Sequence, residues 1–515
     1  MRALRNLGRV THIALTLARH DALIGVERLG LPRACLAVLA RLRGSGLKAR
    51  PGERLAAALT ELGPSFVKLG QALSTRADLV GEEVAADLSE LQDKLAPFPS
   101  EAARATVIEE LGRPLESLFE SFDDRPVAAA SIAQVHFATA RGADGLLREV
   151  AVKVLRPGIE ALFQRDLDLI AWLAELAERY VPSLNRLKPI EVARTVAETV
   201  RLEMDLRLEA AAASELAENF KDDLDFRVPA VDWSRTSRRV LTLARIAGIP
   251  IDERERLIEG GHDPDEIVAK SARTFFNQVF RDGFFHADMH PGNLFVAEDG
   301  ALVAVDFGIM GRLDRATRNY LADMLLGFLN GDYKTVAEVH FRAGFVPASQ
   351  SVGAFMQACR AIAEPILGRP LHEISLARLL AQLFQVTKTF HMETQPQLLL
   401  LQKSMLVCEG VGRALNPDIN MWSLARPLIE TWMRENRGIE ARTRAAAEDA
   451  LARIEELPGF IANVEKAAAA LAGGGVRLHQ DALGALAGGR GRGGGGLWPW
   501  IALAFVAGLA FASLL

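Results

Sequence analysis

Apolar residues recur at intervals of three and four along most of the chain, the spacing of helices with one buried face. This pattern covers residues 55–120, 159–180 and 188–220, and it returns after about residue 252. Pro64 stands near one of the predicted helix starts, where a proline is tolerated. The pattern therefore predicts a largely helical protein.

Short β-branched runs interrupt the helical spacing. Residues 135–140 (VHFATA) and 149–155 (EVAVKVL) flank the turn-rich RGADG and predict a β-hairpin. A further strand is predicted at 239–246, and two more surround a Glu-Asp-Gly turn within 293–307. The order of these segments indicates a small α/β unit followed by a larger helical unit.

The first twenty residues are basic, with four arginines and no acidic residue. Leu4, Leu7, Val10 and Ile13 recur at helical spacing, which favours an amphipathic surface helix. The apolar run is short and lacks a small-residue cleavage site, which argues against a secretory signal.

The other end of the chain is strongly apolar. Residues 497–515 carry no charge in nineteen positions, and a helix of that length is roughly 28 Å long, close to the thickness of the hydrocarbon core. Trp498 and Trp500 stand at one boundary, and Arg490 and Arg492 lie upstream, where they favour a cytoplasmic flank. We expect a membrane anchor here; the alternative is a buried C-terminal core helix.

Charge and cysteine usage exclude other classes of protein. The 515 residues carry 60 basic and 65 acidic side chains, a net charge of −5 at pH 7, which argues against a general nucleic-acid-binding protein. Three dispersed cysteines are too few for a disulfide framework or a cysteine zinc site and favour a reducing compartment.

The segment 284–308 has the spacing of a phosphoryl-transfer site. Asp288 is followed five residues later by Asn293, and Asp306 begins an Asp-Phe-Gly sequence after the predicted hairpin. Phosphoryl transfer needs a carboxylate that orients the attacking oxygen and oxygen ligands that hold Mg²⁺ against the phosphates. Protein-kinase-like enzymes supply these groups from this arrangement of loop and hairpin.

An alternative concerns the same loop. His286, Asp288 and His290 alternate, and on a strand they would lie on one face as metal ligands. Because Pro291 and Gly292 follow directly, a loop is favoured over a strand. The simpler interpretation is that both histidines hold the loop by hydrogen bonds.

Lys153 stands inside an apolar β-run, where an unpaired ammonium would be costly to bury. A kinase-like strand lysine contacts phosphates and pairs with a helical glutamate. Asp205 and Glu209 are four residues apart on a predicted helix and should share a face, with Glu203 on another. The alternatives are a solvent-facing lysine and surface pairs such as Arg201 with Asp205.

No glycine-rich loop precedes the lysine strand. Residues 126–136 read PVAAASIAQVH, in which side-chain methyl groups narrow the approach to a phosphate and stiffen the backbone. A second unusual segment places Lys68, Gln71 and Arg76 on a predicted helix with apolar neighbours, and by composition alone it would be an exposed polar face.

Taken together, these segments resemble the UbiB (AarF-like) family of atypical kinases, tied to ubiquinone biosynthesis. The resemblance extends over about residues 60–315. The matching motifs are Lys68-Leu69-Gly70-Gln71 (K-x-G-Q), Ala128-Ala129-Ala130-Ser131 (the alanine-rich loop), Val150-Ala151-Val152-Lys153, Glu203-Met204-Asp205 (E-x-D), His286 through Asn293, and Asp306-Phe307-Gly308.

The resemblance implies a role for each matching residue. Lys153 would hold the α and β phosphates of ATP and pair with Glu209, Asp288 would be the catalytic carboxylate, and Asn293 and Asp306 would bind Mg²⁺. The implied nucleotide loop consists of Ala128, Ala129, Ala130, Ser131, Ile132, Ala133, Gln134 and Val135.

Four further residues, Lys68, Gln71, Glu203 and Asp205, would lie over the place where a kinase normally receives a peptide. Such an occluded cleft implies ATP hydrolysis or a small lipid-like substrate. Two other functions remain open from the sequence: a polyprenylphenol hydroxylase, which would need a redox cofactor, and a non-catalytic nucleotide-binding scaffold.

The implied fold class is α+β: a two-lobed protein-kinase-like fold with a helical N-terminal extension that carries K-x-G-Q and a C-terminal transmembrane helix. The expected location is the bacterial inner membrane, with the catalytic body in the cytoplasm. The expected partners are the bilayer, polyprenylphenol intermediates and other enzymes of ubiquinone biosynthesis. The expected segments are an N-terminal amphipathic region 1–55, the extension 56–120, an N-lobe 121–250, a C-lobe 251–440, a helix 441–475, a glycine-rich linker 476–496 and the anchor 497–515.

Overall fold

The computed structural model divides into two compact units, Met1–Arg434 and Glu435–Leu515, and the sites below all lie in the first. The predicted helix 441–475, linker and anchor lie outside the described residues, as do Ser131 and Arg76. The structure describes residues 2–22, 49–74, 82–89, 91, 97–130, 132–180, 189–365, 382, 385–387, 389–392, 396–416 and 421–437. Within these ranges no helix is both long and apolar enough to cross a bilayer.

Helices dominate the described chain, as the apolar spacing predicts. Those before Asn219 are α1 Arg2–Arg19, α2 Pro51–Leu62, α3 Pro64–Ser74, α4 Glu82–Ser89, α5 Ser100–Leu111, α6 Leu115–Leu118, α7 Ile159–Tyr180, α8 Pro189–Glu203 and α9 Leu206–Asn219. The later ones are α10 Arg254–Glu259, α11 Pro264–Phe276, α12 Arg315–Leu329, α13 Tyr333–Arg342, α14 Val352–Ala363, α15 Pro396–Leu415 and α16 Met421–Arg437.

The strands of the described residues form three sheets, and the predicted hairpins are confirmed. The strands are β1 Ser121–Phe122, β2 Ala128–Ala129, β3 Ala133–Arg141, β4 Leu147–Leu155, β5 Phe226–Arg227, β6 Val240–Ala244, β7 Ile249–Pro250, β8 Phe284–His286, β9 Leu294–Val296, β10 Leu302–Ala304 and β11 Met310–Arg312. The first sheet has the order β1-β3-β4-β6 with β2 beside β3; the second is β5-β10-β9-β7 and the third β11-β8.

The alternation of buried and partly exposed residues along β4 shows which face of the first sheet lines the candidate site. Val150, Val152 and Val154 are buried against Ala103 and Val107 of α5, so one face of the sheet is covered by that helix. Because successive side chains of a strand point to opposite faces, the residues between the valines point the other way. The cleft side of the sheet therefore follows from the position of α5.

The long helix predicted over 188–220 is interrupted between α8 and α9. Asp205 is extended (φ −120°) and its side chain accepts a hydrogen bond from the Arg207 backbone N–H, as an N-cap does. The prediction that Asp205 and Glu209 share a helix face is wrong, because a capping residue stands outside the 3.6-residue repeat. Asp205 pairs with the Arg207 guanidinium at 2.6 Å, and not with Arg201.

Helices α2, α3 and α4 of the helical extension pack on one another. Leu59, Phe66 and Leu88 of α2, α3 and α4 share one buried cluster. Gly70 of α3 permits the close approach, since a Cβ there would lie 2.5 Å from a methyl of Leu91 and 2.7 Å from one of Leu59. The glycine of K-x-G-Q is thus required by packing.

Helix α1 lies on the body of the protein. Arg9 donates to both carboxylate oxygens of Asp166 on α7, at 3.2 and 3.1 Å, and to the Leu62 carbonyl. Ile13 packs on the cluster of the helical extension. Part of the apolar stripe that indicated a surface helix is therefore covered by protein.

Candidate active site

Lys153 points from β4 into the cleft, on the face opposite to the buried valines. Strand pairing places it directly across from Val135 on β3 and Leu241 on β6. Its side chain is only 17% exposed. A lysine in this position needs charge compensation, because burial of an unpaired ammonium is costly.

Two carboxylates supply that compensation. The Lys153 ammonium donates to both oxygens of Glu209 on α9, at 2.8 and 3.0 Å, and to Asp306 at 3.0 Å. The Glu209 side chain is 7% exposed, whereas that of Asp306 is about half exposed. The expected Lys153–Glu209 pair is therefore present, and the lysine joins a helix of one lobe to the Asp-Phe-Gly segment of the other.

The electrostatics of this cluster follow from burial and from the shared ammonium. Burial opposes the charge on Lys153, but Asp306 and Glu209 outweigh it and hold its pKa above the ordinary value. Burial, assisted by the like charge of Asp306, raises the pKa of Glu209 to about 7 against the pull of Lys153. Burial also acts on Asp306, yet Lys153 and then Lys68 hold the pKa of that carboxyl well below its usual range.

Asp306 adopts an unusual backbone conformation for a residue other than glycine, with φ +61°. Such conformations cost free energy and cluster at functional sites. Phe307 beside it is fully buried and packs edge-on against His286, with ring centroids 5.6 Å apart. The buried phenylalanine and the β9–β10 hairpin thus aim the Asp306 carboxylate at Lys153.

The loop with Asp288 is held by the two histidines, as the simpler interpretation predicts. His286 accepts a hydrogen bond from the Asp288 backbone N–H at 3.1 Å through Nδ1, and its Nε2 lies 3.4 Å from the Val305 carbonyl. Burial lowers the pKa of His286, which keeps the ring neutral. His290 accepts from the Gly292 N–H at 3.1 Å. No group of three or more His, Cys, Asp or Glu residues suited to a metal occurs among the described residues.

Asn293 stabilises the same loop from the other side. Its Nδ2 donates to the Asp288 carbonyl at 3.1 Å, and the residue is 8% exposed. This bond occupies the amide nitrogen. A carbonyl oxygen from Asn293 and the half-exposed carboxylate of Asp306 are the oxygen donors that Mg²⁺ prefers, so the donor set fits the predicted metal-binding role.

Sequence reasoning missed Lys403. This residue is the sole lysine of α15 and lies 115 positions from Asp288, yet its ammonium donates to the Asp288 carboxylate at 2.7 Å. The available signal was a single cation within the apolar stretch LLLLQKSMLVC. That signal names no partner, because the partner is brought close only by folding.

The alanine-rich segment forms a tight turn. Ala128 and Ala129 pair with Val135 and Gln134, and the Ala130 N–H donates to the Ala133 carbonyl at 2.8 Å. The segment precedes the lysine strand, as a nucleotide loop should.

Ile132 and Gln134, which follow the alanine residues, have side chains that contribute to packing. Ile132 packs on the clusters beneath α7, α8 and α9. The buried Gln134 side chain accepts from the Phe98 N–H at 3.0 Å and donates to the Phe98 carbonyl at 3.3 Å. A nucleotide contact by Gln134 would therefore come from its backbone.

The motif residues predicted to cover the cleft separate into two groups. Lys68 of α3 pairs with Glu203 at the end of α8 at 3.0 Å, with both side chains largely buried. Gln71 donates to the Leu91 carbonyl at 3.3 Å, and Asp205 caps α9. Lys68 and Glu203 therefore form one ion pair beside the site. Gln71 and Asp205 instead make contacts that hold helices in place.

The antiparallel sheet, the Lys153–Glu209 pair, the loop with Asp288 and the Asp-Phe-Gly segment define a protein-kinase-like fold. The ABC1 atypical kinase-like domain matches residues 90–340, and the UbiB helical domain matches residues 359–420. The chain belongs to the UbiB family of atypical kinases.

Curated relatives agree with this assignment. A probable protein kinase UbiB of Marinobacter nauticus is 46% identical over 391 residues, 75% of this chain and 71% of that one. One of Xanthomonas campestris pv. campestris is 43% identical over 441 residues, 84% and 78% of the two chains. Among solved structures, the Rv3197–erythromycin complex from Mycobacterium tuberculosis is similar, with 26% identity, a TM-score of 0.51, and coverage of 77% of this chain and 98% of that one.

Proposed function

We propose that this protein is a Mg²⁺-dependent ATPase or kinase that supports ubiquinone biosynthesis by acting on polyprenylphenol intermediates. The observation that carries the proposal is the assembled cluster of Lys153, Glu209 and Asp306, next to the loop of Asp288. A scaffold that only binds nucleotide has no need for all four groups.

The geometry of the site suggests a separate role in phosphoryl transfer for each residue. ATP with Mg²⁺ supplies the transferable phosphoryl group and shields its charge. Lys153, held by Glu209, would bind the α and β phosphates. Asp306 and Asn293 would hold the metal by their oxygens. Asp288 would orient the attacking hydroxyl and accept its proton, so that the bond to the γ phosphorus forms as the bond to ADP breaks.

The acceptor is proposed to be water or a small phenolic lipid. The Lys68–Glu203 pair joins the helical extension to the segment before α9, and the charge of Lys68 also acts on Asp306. The helical extension would then cover the side of the cleft from which an extended peptide approaches. This supports hydrolysis or a compact acceptor.

A turnover assay with purified full-length protein tests the proposal. We expect ATP hydrolysis that depends on Mg²⁺ and rises when a polyprenylphenol is added in detergent or liposomes. Nucleotide binding without turnover under all of these conditions would favour the scaffold. A bound chromophore, with oxidation of the phenol and no ATP consumption, would favour the hydroxylase.

We further propose that residues 497–515 anchor the protein in the inner membrane with its catalytic body in the cytoplasm. The support is the uncharged nineteen-residue run and the arginines upstream of it. A polyprenyl chain partitions into lipid, so an enzyme acting on it gains by working at the bilayer.

Truncation after Ala487 should move the protein to the soluble fraction and preserve nucleotide binding. Residual attachment through the basic N-terminal helix should be removed by a salt wash. A truncated protein that stays in the pellet after that wash would place the anchor elsewhere, and one that unfolds would identify the segment as a core helix.

A further inference from the structure

The catalytic loop is attached on one side to α15, a helix of the UbiB helical domain. Phe285 of β8 and the loop residues Ala287 and Met289 are buried in the same cluster as Leu401 and Cys408 of α15. These three positions alternate with His286 and Asp288, which make the polar contacts of the site. The apolar alternation thus fixes the loop on α15.

Two neighbouring residues of α15 add polar contacts to that packing. Ser404, which is buried, lies 3.4 Å from the His286 carbonyl through its hydroxyl. Lys403 donates to the Asp288 carboxylate at 2.7 Å. The contact to this carboxylate therefore comes from a helix far along the chain, while Asn293 binds the Asp288 backbone instead.

A short charge-assisted hydrogen bond restricts the rotation of a carboxylate more strongly than a neutral one does. The Asp288–Lys403 pair is partly exposed, at 26% and 40%, so its net contribution to stability should be small. This contact adds little to folding stability but fixes the orientation of the proposed catalytic carboxylate. We therefore expect its loss to lower the rate of turnover.

We propose that Lys403 is a positioning residue for phosphoryl transfer: it holds the Asp288 carboxylate in its orientation toward the attacking oxygen, and through it the helical domain completes the active site. The proposal rests on the proposed function, since it assigns to Asp288 the role given there.

Substitution of Lys403 in the full-length protein tests this role. Lys403→Met should lower kcat for Mg²⁺-dependent ATP hydrolysis by about 30-fold and leave KM for ATP within about twofold, because the loss is confined to the transition state. Lys403→Arg keeps a cation and should recover most of the rate. Arg413→Met, which removes a cation ten residues further along α15, is the matched control and should resemble the parent.

A double variant shows whether Lys403 acts through Asp288. If it does, Asp288→Asn with Lys403→Met should turn over no more slowly than Asp288→Asn alone, since coupled residues are non-additive. The thermal unfolding midpoint of Lys403→Met should stay close to that of the parent. A rate for Lys403→Met within twofold of the parent, additive losses in the double variant, or a rate lost only in proportion to unfolded protein would overturn the inference. A parent without ATP turnover would instead defeat the proposed function itself.

Discussion

Two lysine–carboxylate contacts at the candidate site involve different elements and differ in their surroundings. Lys153 and Glu209 are buried on the sheet side, where the ammonium is shared with Asp306. Lys403 and Asp288 are partly exposed on the helical side. A buried pair is expected to affect both stability and chemistry, since loss of one partner leaves an uncompensated charge. The exposed pair is expected to affect chemistry alone.

The largest expected effect is on the chemistry of the sheet side. Asp306→Asn removes a proposed metal carboxylate and should lower ATP turnover about a thousandfold, because a metal ligand contributes several kcal/mol to the transition state. Asp299→Asn is the control; Asp299 lies in the β9–β10 turn and pairs with Arg227 at the surface. Equal turnover of the two variants, measured as phosphate release, would show that Asp306 does not hold the metal.

The next largest effect is a difference in folding stability between the Lys153 and Lys403 variants. Lys153→Met leaves Glu209 and Asp306 facing each other without a cation and should lower the free energy of unfolding by about 3 kcal/mol at pH 8. The measurement is denaturant unfolding, with Lys403→Met and the exposed Lys334→Met as controls. The comparison fails if the loss in Lys153→Met is no larger than in these two.

The same variant has a predictable pH dependence. The folded-state pKa of Glu209 is raised, to about 7 in the parent, so its contribution to stability is greatest at low pH and is lost as the pH rises through that value. Without Lys153 the carboxyl is still harder to ionise. The deficit of Lys153→Met should therefore shrink between pH 8 and pH 5.5. A deficit that grows on acidification would contradict this assignment.

A smaller effect concerns the histidine of the sheet. Burial lowers the pKa of His136, which stacks on Phe122 and bonds the Asp123 carbonyl at 2.8 Å. A histidine with a lowered folded-state pKa loses its stabilising contribution as the pH falls below about 6.5, by at most about 1.4 kcal/mol at pH 5.5.

The parent should accordingly lose stability between pH 7.5 and 5.5 more steeply than His136→Gln does. Thermal unfolding of both proteins checks this, and the exposed His391→Gln provides the control. If the stability of the parent and of His136→Gln falls in parallel with pH, the folded-state pKa of His136 is not lowered.

The smallest expected effect is on nucleotide affinity at the alanine turn. Ala129→Gly removes a methyl group from the approach to the phosphates and loosens the backbone, and it should lower the dissociation constant of ATP about threefold. Ala143→Gly, in the turn between β3 and β4, is the control. Calorimetric titration with ATP and ADP makes the comparison; identical constants for parent and Ala129→Gly would show that the turn does not touch nucleotide.

The local pattern of the sequence predicted the elements of the sheet side because that information is short in range. Alternation in EVAVKVL buries three valines and turns Lys153 to the opposite face, and the Glu-Asp-Gly turn produces the β9–β10 hairpin before Asp306. A resemblance to a family then supplied Glu209 as the partner. The helical spacing predicted one continuous helix across Asp205. The Asp205 side chain instead caps α9, so α8 ends and α9 begins there.

The amino-acid sequence by itself therefore determined the strands and helices on which Lys153, Glu209 and Asp306 could be placed. Only the tertiary structure decided which charges meet. Lys403 reaches Asp288 across 115 positions, Lys68 reaches Glu203, and Gln134 turns to Phe98 and away from the cleft. The reason is physical: a strand or helix is specified by neighbours a few residues apart, whereas an ion pair depends on the packing of whole elements, whose apolar faces are compatible with several partners until the chain has folded.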